Sequence, residues 1–160
     1  MKIKKICFVG YGDHVKNTII PSLSLNEKNI RIVTTKNINS NFFIYKSLKL
    51  ALKSLPKDFF FYNSTPPSIH YKTSKLILTN KFNLIVEKPI CINSSQLVKL
   101  KVLASNNNLI LFENMMYFHT KQFDFFNKFI TKKNDFKTFK INFTIPSFNE
   151  SSFRSNTDIN

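Results

Sequence analysis

The sequence predicts an α/β protein in which a doubly wound parallel sheet is followed by the beginning of a second α/β domain. Three observations predict it. Short apolar runs of strand length alternate with segments of roughly ten to fifteen residues whose apolar side chains recur every three or four positions, the pattern of βαβ units. The first run is rich in Ile and Val and ends at a glycine, as a parallel strand buried on both faces would. Past Glu113 the alternation gives way to a helical segment and then to a period-two strand, so the organisation changes there.

Each element follows in order. Ile3 to Val9 is the first strand. Asp13 to Leu25 carries Val15, Ile19, Ile20 and Leu23 at helical spacing, and Pro21 should shorten or kink that helix because it has no N–H and its ring crowds the preceding turn. Ile30 to Thr34 is the second strand, Phe42-Phe43-Ile44 offers a short third, and Ser47 to Leu55 is a helix closed by Pro56. Asp58 to Asn63, with Phe59-Phe60-Phe61-Tyr62, is the fourth strand, and Phe82 to Val86 the fifth. Between them Ser68 to Asn80 is helical by the spacing of Ile69, Lys72, Leu76 and Ile77, with Ser68 as its candidate cap. Ser94 and Ser95 are candidate N-caps for a helix through Ala104, Asn106-Asn107-Asn108 is a turn, and Leu109 to Phe112 is a sixth strand. Phe118 to Ile130 is then helical, and Phe136 to Ile145 alternates with Phe139, Ile141, Phe143 and Ile145 on one face.

A chain of 160 residues accommodates one such domain and a fragment of another. With 42% hydrophobic residues it can bury a sizeable core despite a net charge of +15, which excludes a disordered tail. That charge does not imply a nucleic-acid partner. Of the 24 basic residues only Arg31 and Arg154 are arginines, and the lysines are spread from Lys2 to Lys140 rather than gathered on one element. Lys, Asn, Ile and Phe, all with A/T-rich codons, dominate the composition, so mutational bias accounts for it better than selection for a polyanion. No apolar run is long enough to span a membrane, and the start lacks a signal-peptide core, so a cytoplasmic location is expected. Cys7 and Cys91 have no Cys or His at metal-ligand spacing, which argues against a disulfide framework or a zinc site.

In an open parallel sheet, ligands bind outside the carboxyl ends of the strands, so the residues just after each strand carry the functional reading. Val9-Gly10-Tyr11-Gly12-Asp13-His14-Val15 follows the first strand and opens the first helix, where a dinucleotide fold needs a tight turn and close backbone approach to pyrophosphate. The chain's only two glycines stand here, which suggests that neither position tolerates a Cβ. Val15 replaces the third glycine of the usual pattern, and a plain strand-to-helix turn is the alternative reading. After the second strand comes Val33-Thr34-Thr35-Lys36, with no carboxylate for the ribose 2′-OH of NAD. Thr35 and Lys36 instead suit the 2′-phosphate of NADP, an ordinary solvated lysine being the alternative. Ser64, Thr65, Pro66, Pro67 and His70 follow the fourth strand, in a rigid turn whose hydroxyls and backbone can line a cofactor. Glu87-Lys88-Pro89 follows the fifth, bringing a carboxylate and an amine to the same edge. Lys88 there is a candidate proton donor to a substrate oxygen, although either motif alone is more often a loop.

The order of these motifs resembles the glucose–fructose oxidoreductase/inositol dehydrogenase/MocA family. A strand and Gly-x-Gly turn are followed by Ile20-Pro21-Ser22-Leu23, by Thr65-Pro66-Pro67-Ser68-Ile69-His70, by Val86-Glu87-Lys88-Pro89-Ile90 and by Glu113-Asn114-Met115-Met116-Tyr117. The match runs from Ile3 to about Ile145. It implies a Rossmann domain binding NADP or NAD, with NADP slightly favoured. In that reading Gly10, Tyr11, Gly12, Asp13, His14, Val15, Thr35, Lys36, Ser64, Thr65, Pro66, Pro67, His70, Glu87 and Lys88 lie at the cofactor. Lys88 matches the family's catalytic lysine, near the nicotinamide and the reacting sugar oxygen. Phe143-Thr144-Ile145-Pro146 followed by Phe153-Arg154 resembles the branch acting on nucleotide-linked keto sugars.

Residues 1–114 are thus expected to form the NAD(P)-binding domain and residues 115–160 an incomplete start of a truncated α/β substrate domain. The implied partners are a nicotinamide dinucleotide and a sugar or nucleotide-sugar substrate, with neither nucleic acid nor membrane. Family members continue into a Gly-rich stretch with an Asp and a His or Tyr that complete the catalytic site, so a non-catalytic remnant, or a nucleotide-binding module needing another chain, is the alternative. His119 is expected to be a surface or packing residue and His14 a helix-start residue. The apolar face of Phe136 to Ile145, left uncovered, would favour self-association through residues 115–146.

Overall fold

A computed structural model describes residues 3–132 and residue 140. Six strands form one wholly parallel sheet: β1 (Ile6–Val9), β2 (Ile30–Val33), β3 (Phe43–Tyr45), β4 (Phe60–Asn63), β5 (Asn83–Glu87) and β6 (Leu111–Asn114). Their order is β3-β2-β1-β4-β5-β6, so the chain winds outward one way from β1 and then the other way from β4. This is the doubly wound, Rossmann-like α/β arrangement that the alternation of elements predicts.

The crossovers obey local chemistry. After β1 the chain is helical from Asp13, widens into a π-helical stretch at Val15–Ile19, and ends in a short α-helical turn, α1 (Ile20–Ser22). Pro21 lies in that last turn and Leu23 is already extended, which is the shortening expected of a residue without an N–H. Ser47 caps α2 (Leu48–Ser54) by accepting the N–H of Leu50. Two of the predicted caps are displaced. Helix α3 (Pro67–Thr79) starts on Pro67 after an extended Pro66, so Ser68 is inside the first turn. Helix α4 (Ser94–Asn106) is capped by Asn93, whose extended backbone lets its side chain accept the N–H of Gln96, and Ser94 and Ser95 are already helical.

The core follows from period-two alternation on buried strands. Cys7, Val9, Phe61, Leu84 and Val86 point to the face covered by α2, α3 and α4, where they pack with Leu52, Ile77, Phe82 and Leu100. Ile6, Phe8, Phe60 and Tyr62 point the other way and pack with Val15 and Ile30. Phe61 meets Phe82 edge-on at 4.8 Å with both fully buried, so truncating either to Ala would cost about 3–5 kcal/mol. Burial also pushes the Cys7 thiol far above its ordinary range, against a weaker opposing effect of Arg31. The spacing that signals α3 marks its inward face only at Ile77. Ile69 and Leu76 are exposed, whereas His70, Thr73, Ser74, Ile77 and Leu78 are buried.

The chain divides into two compact units, Met1–His119 and Thr120–Asn160. The first closes after β6 with a 3-10 turn, Met116–His119, in which the exposed His119 ring lies 5.9 Å from that of Phe112. Within the second, α5 (Lys121–Lys132) begins three residues later than the predicted Phe118, because the Thr120 hydroxyl accepts the N–H of Phe123 and sets the first turn. Phe136 to Ile145, Phe143-Thr144-Ile145-Pro146 and Phe153-Arg154 lie outside the described residues.

Candidate functional site at the carboxyl edge of the sheet

The strand order reverses between β1 and β4, and the loops after β1, β2, β4 and β5 all leave the sheet at its carboxyl edge. At β1 the turn is held by the Gly10 N–H donating to Val33 O (3.0 Å), and the following helix opens with the Lys16 N–H donating to Gly12 O (3.0 Å). The two glycines do different things. Gly10 has φ +97°, and a Cβ there would lie 2.9 Å from Ser64 O, so both backbone conformation and space require glycine. Gly12 has neither restriction: a Cβ would meet nothing within 4 Å. The expectation that neither glycine tolerates a Cβ therefore holds for the protein's own packing only at Gly10. Val15 is 1% exposed and packs in the core despite replacing a glycine of the usual pattern.

The β4 loop is tied to that turn. Ser64 donates its N–H to Val9 O (2.9 Å), and its hydroxyl lies 3.0 Å from Val9 O and 3.2 Å from Gly10 O. Next to it Asn63, fully buried, satisfies its whole side chain: its amide donates to His70 O and Ser74 Oγ, and its oxygen accepts the Thr65 N–H and hydroxyl. Pro66 and Pro67 are exposed at the start of α3. The His70 ring is 1% exposed, with Nδ1 2.7 Å from Pro89 O and Nε2 2.5 Å from Thr65 O, so it faces protein on both sides.

At the end of β5 the Glu87 carboxylate is the centre of a polar cluster. Tyr62 donates its hydroxyl proton to Glu87 Oε1, and the Asn114 amide donates to the same oxygen (3.0 Å) and to the Tyr62 hydroxyl (2.8 Å). Burial first, then the hydrogen bond to Glu87 and its charge, hold the Tyr62 hydroxyl far above the ordinary phenol range, so it remains a donor. His14 reaches across from the first helix, Nε2 3.4 Å from Glu87 Oε1. His14 thus contributes its ring and not only a helix start. The sequence assigned no site role to Tyr62, Asn63 or Asn114. The available signal was position: Tyr62 and Asn63 end β4, and Asn114 ends β6, on the functional edge.

Lys88 is exposed in the loop after Glu87, and its amine has no ion-pair partner among the described residues. On the far side Thr35 and Lys36 are exposed after β2, and the Thr34 hydroxyl accepts the Lys36 N–H (3.2 Å). Lys46, also unanticipated, donates to Asn37 Oδ1 (2.9 Å) and Lys36 O (3.3 Å) and adds a second ammonium to this loop. Tyr11 and Asp13 flank Gly12 and are half-buried and exposed, respectively. A groove of about 340 Å³ between α3 and α4 is lined by Tyr71, Lys75, Val98, Leu103 and Asn106 among others, and by none of the strand-end residues described above. Among the described residues no cluster could hold a metal ion, and no helix is long and apolar enough to cross a membrane.

No family model and no curated protein matches the chain. Solved structures do. A candidate oxidoreductase from Bacteroides fragilis is 21% identical with a TM-score of 0.68, over 82% of this chain and 40% of that one. KijD10, a 3-ketoreductase from Actinomadura kijaniata solved in complex with TDP-benzene and NADP, is 17% identical with a TM-score of 0.67, over 82% of this chain and 44% of that one. D-galactose-1-dehydrogenase from Rhizobium etli is 20% identical with a TM-score of 0.58, over 69% of this chain and 37% of that one. The chain therefore spans less than half the length of these proteins, and at such identities the likeness establishes a shared α/β fold.

Proposed function

We propose that residues 1–114 are the NAD(P)-binding domain of an oxidoreductase of the glucose–fructose oxidoreductase/inositol dehydrogenase/MocA kind, and that residues 115–160 begin its substrate domain. The observation that carries this reading is the convergence, where the strand order reverses, of the Gly10–Gly12 turn, the Ser64–Pro67 turn and the Glu87–Pro89 loop. The residues suit a dinucleotide. Gly12 leaves the turn open where a side chain would fill the approach, and the first N–H groups of the helix after it have no partner within that helix. Thr35 and Lys36, joined by Lys46, offer a hydroxyl and two ammonium groups where NAD-binding proteins carry a carboxylate, which favours NADP over NAD.

When bound, the nicotinamide supplies or accepts the hydride of the reaction. Lys88, exposed at the same edge, donates a hydrogen bond to the reacting oxygen of a sugar or nucleotide-sugar hydroxyl or ketone and so steadies the charge that develops there. The Tyr62–Glu87–Asn114 cluster fixes the base of the loop that carries Lys88. The 3-ketoreductase and galactose dehydrogenase among the structural neighbours support this substrate class. Fluorescence titration tests the reading. The chain should bind NADPH, and NADH more weakly, while failure to bind either dinucleotide at millimolar concentration overturns it.

A further inference from the structure

We infer that His70 is a positioning residue whose ring locks the Glu87-Lys88-Pro89 loop to the turn after β4, so that the nicotinamide end of the site, and not the adenine end, depends on it. This rests on the dinucleotide reading above.

The geometry is specific. Both ring nitrogens face carbonyl oxygens, Pro89 O at 2.7 Å and Thr65 O at 2.5 Å, and the ring is 1% exposed. An imidazole carries at least one N–H in every tautomer, so at least one of the two loops is always bonded to it. With each nitrogen against protein, the ring has no face left for a ligand and acts through the loops it joins. Each loop is secured from its other side as well. Asn63 accepts the Thr65 N–H and hydroxyl and donates to His70 O, while Glu113 Oε1 accepts the Ile90 N–H at 2.8 Å. Pro89 and Ile90 are thus held between α3 and β6, and Lys88 is the residue next along. The Thr35–Lys36 loop makes none of these contacts, and the Gly10–Gly12 turn meets the β4 loop through Ser64 and not through His70, so the adenine end does not share this dependence.

Two single-bond substitutions separate positioning from general support. In His70→Asn the amide stands near Nδ1 and keeps the Pro89 link; in His70→Gln it stands near Nε2 and keeps only the Thr65 link. Each variant keeps an amide against one carbonyl and gives up the ring's contact with the other, so a merely structural role predicts equal effects. Calorimetric titration with NADPH and with adenosine 2′,5′-bisphosphate, which lacks the nicotinamide half, reads the difference. His70→Gln should weaken NADPH by about tenfold, the size of one lost hydrogen bond, and leave the bisphosphate unchanged. His70→Asn should stay within about threefold of the native chain for both ligands. Equal losses in the two variants, or equal losses for the two ligands, overturn the inference. Failure of the native chain to bind either ligand overturns the dinucleotide reading and this inference with it. Should both variants unfold, the nitrogen–proton spectrum of the native chain decides. A slowly exchanging ring N–H on His70 is expected, and one that exchanges as fast as those of the exposed His14 and His119 refutes the lock.

Discussion

The two glycines of the first turn make opposite demands, and substituting each with alanine should separate folding from binding. In Gly10→Ala the new Cβ meets Ser64 O at 2.9 Å and Ser64 Oγ at 3.0 Å, on a backbone fixed at φ +97°. The left-handed conformation costs an L-residue about 1–2 kcal/mol, and crowding against a backbone carbonyl about 1–3 kcal/mol more. The sum, about 2–5 kcal/mol, should lower the melting temperature by roughly 10 °C or more for a unit of this size. Gly12→Ala meets nothing within 4 Å at an ordinary φ, so its stability should stay within about 0.5 kcal/mol of the native chain. Its dinucleotide affinity should nevertheless fall by at least about tenfold, because in the proposed reading a pyrophosphate approaches the backbone through the open space at Gly12. Gly12→Val should abolish binding while the sheet persists. The assays are thermal unfolding by circular dichroism and calorimetric titration of NADPH. A Gly10→Ala variant as stable as the native chain would refute the turn geometry, and a Gly12→Val variant with native affinity would show that no pyrophosphate lies on this turn.

The remaining predictions address the other loops. NADPH should bind more tightly than NADH by about 1–3 kcal/mol, with Lys36→Ala removing most of the preference and Lys46→Ala part of it; equal affinities in the native chain would contradict the 2′-phosphate reading. Tyr62→Phe keeps the ring in its core position but leaves Glu87 and Asn114 each short of a partner, and should cost about 1–2 kcal/mol in urea unfolding, with no change counting against the cluster. Burial raises both Cys7 and Tyr62 above their ordinary values of 9.0 and 10.0. The unfolded chain therefore ionises first, and the stability these groups contribute is complete below those values and falls progressively as pH climbs above them. Denaturant midpoints should stay flat up to about pH 9 and then fall, by up to about 1.4 kcal/mol per pH unit for each group, and Cys7→Val should delay the onset; midpoints unchanged up to about pH 10.5 would exclude this.

Most of the sheet was legible because strands buried on both faces leave an unbroken apolar run, and Ile6–Val9 and Phe59-Phe60-Phe61-Tyr62 are such runs. Helix α3 shows where the signal fails. Hydrophobic spacing assumes that buried means apolar, yet α3 turns His70, Thr73 and Ser74 inward and leaves Ile69 and Leu76 outside. His70 and Ser74 tolerate burial because Pro89 O, Thr65 O and the Asn63 amide satisfy them, and those partners lie in other elements where a local window cannot see them. The cap of α4 was misplaced for a related reason. Asn93, Ser94 and Ser95 are all capping residues, and only the extended backbone of Asn93 decides among them.

The candidate site was legible as a set of positions and not as a set of roles. Reading the residues after each strand located Gly10, Gly12, Lys36, Ser64, Glu87 and Lys88, because a parallel sheet sends every strand end to one edge whatever the strand order. Roles depend on which strands become neighbours. Only the placement of β1 beside β4 sets Ser64 against Gly10, which makes one glycine structural and leaves the other open toward solvent. Only the adjacency of β4, β5 and β6 gathers Tyr62, Glu87 and Asn114 around a shared oxygen, and only the first helix brings His14 to it. The same holds for His70, which the family resemblance places at the cofactor: the helix that begins on Pro67 turns its ring inward, onto Pro89 O in the loop that carries Lys88.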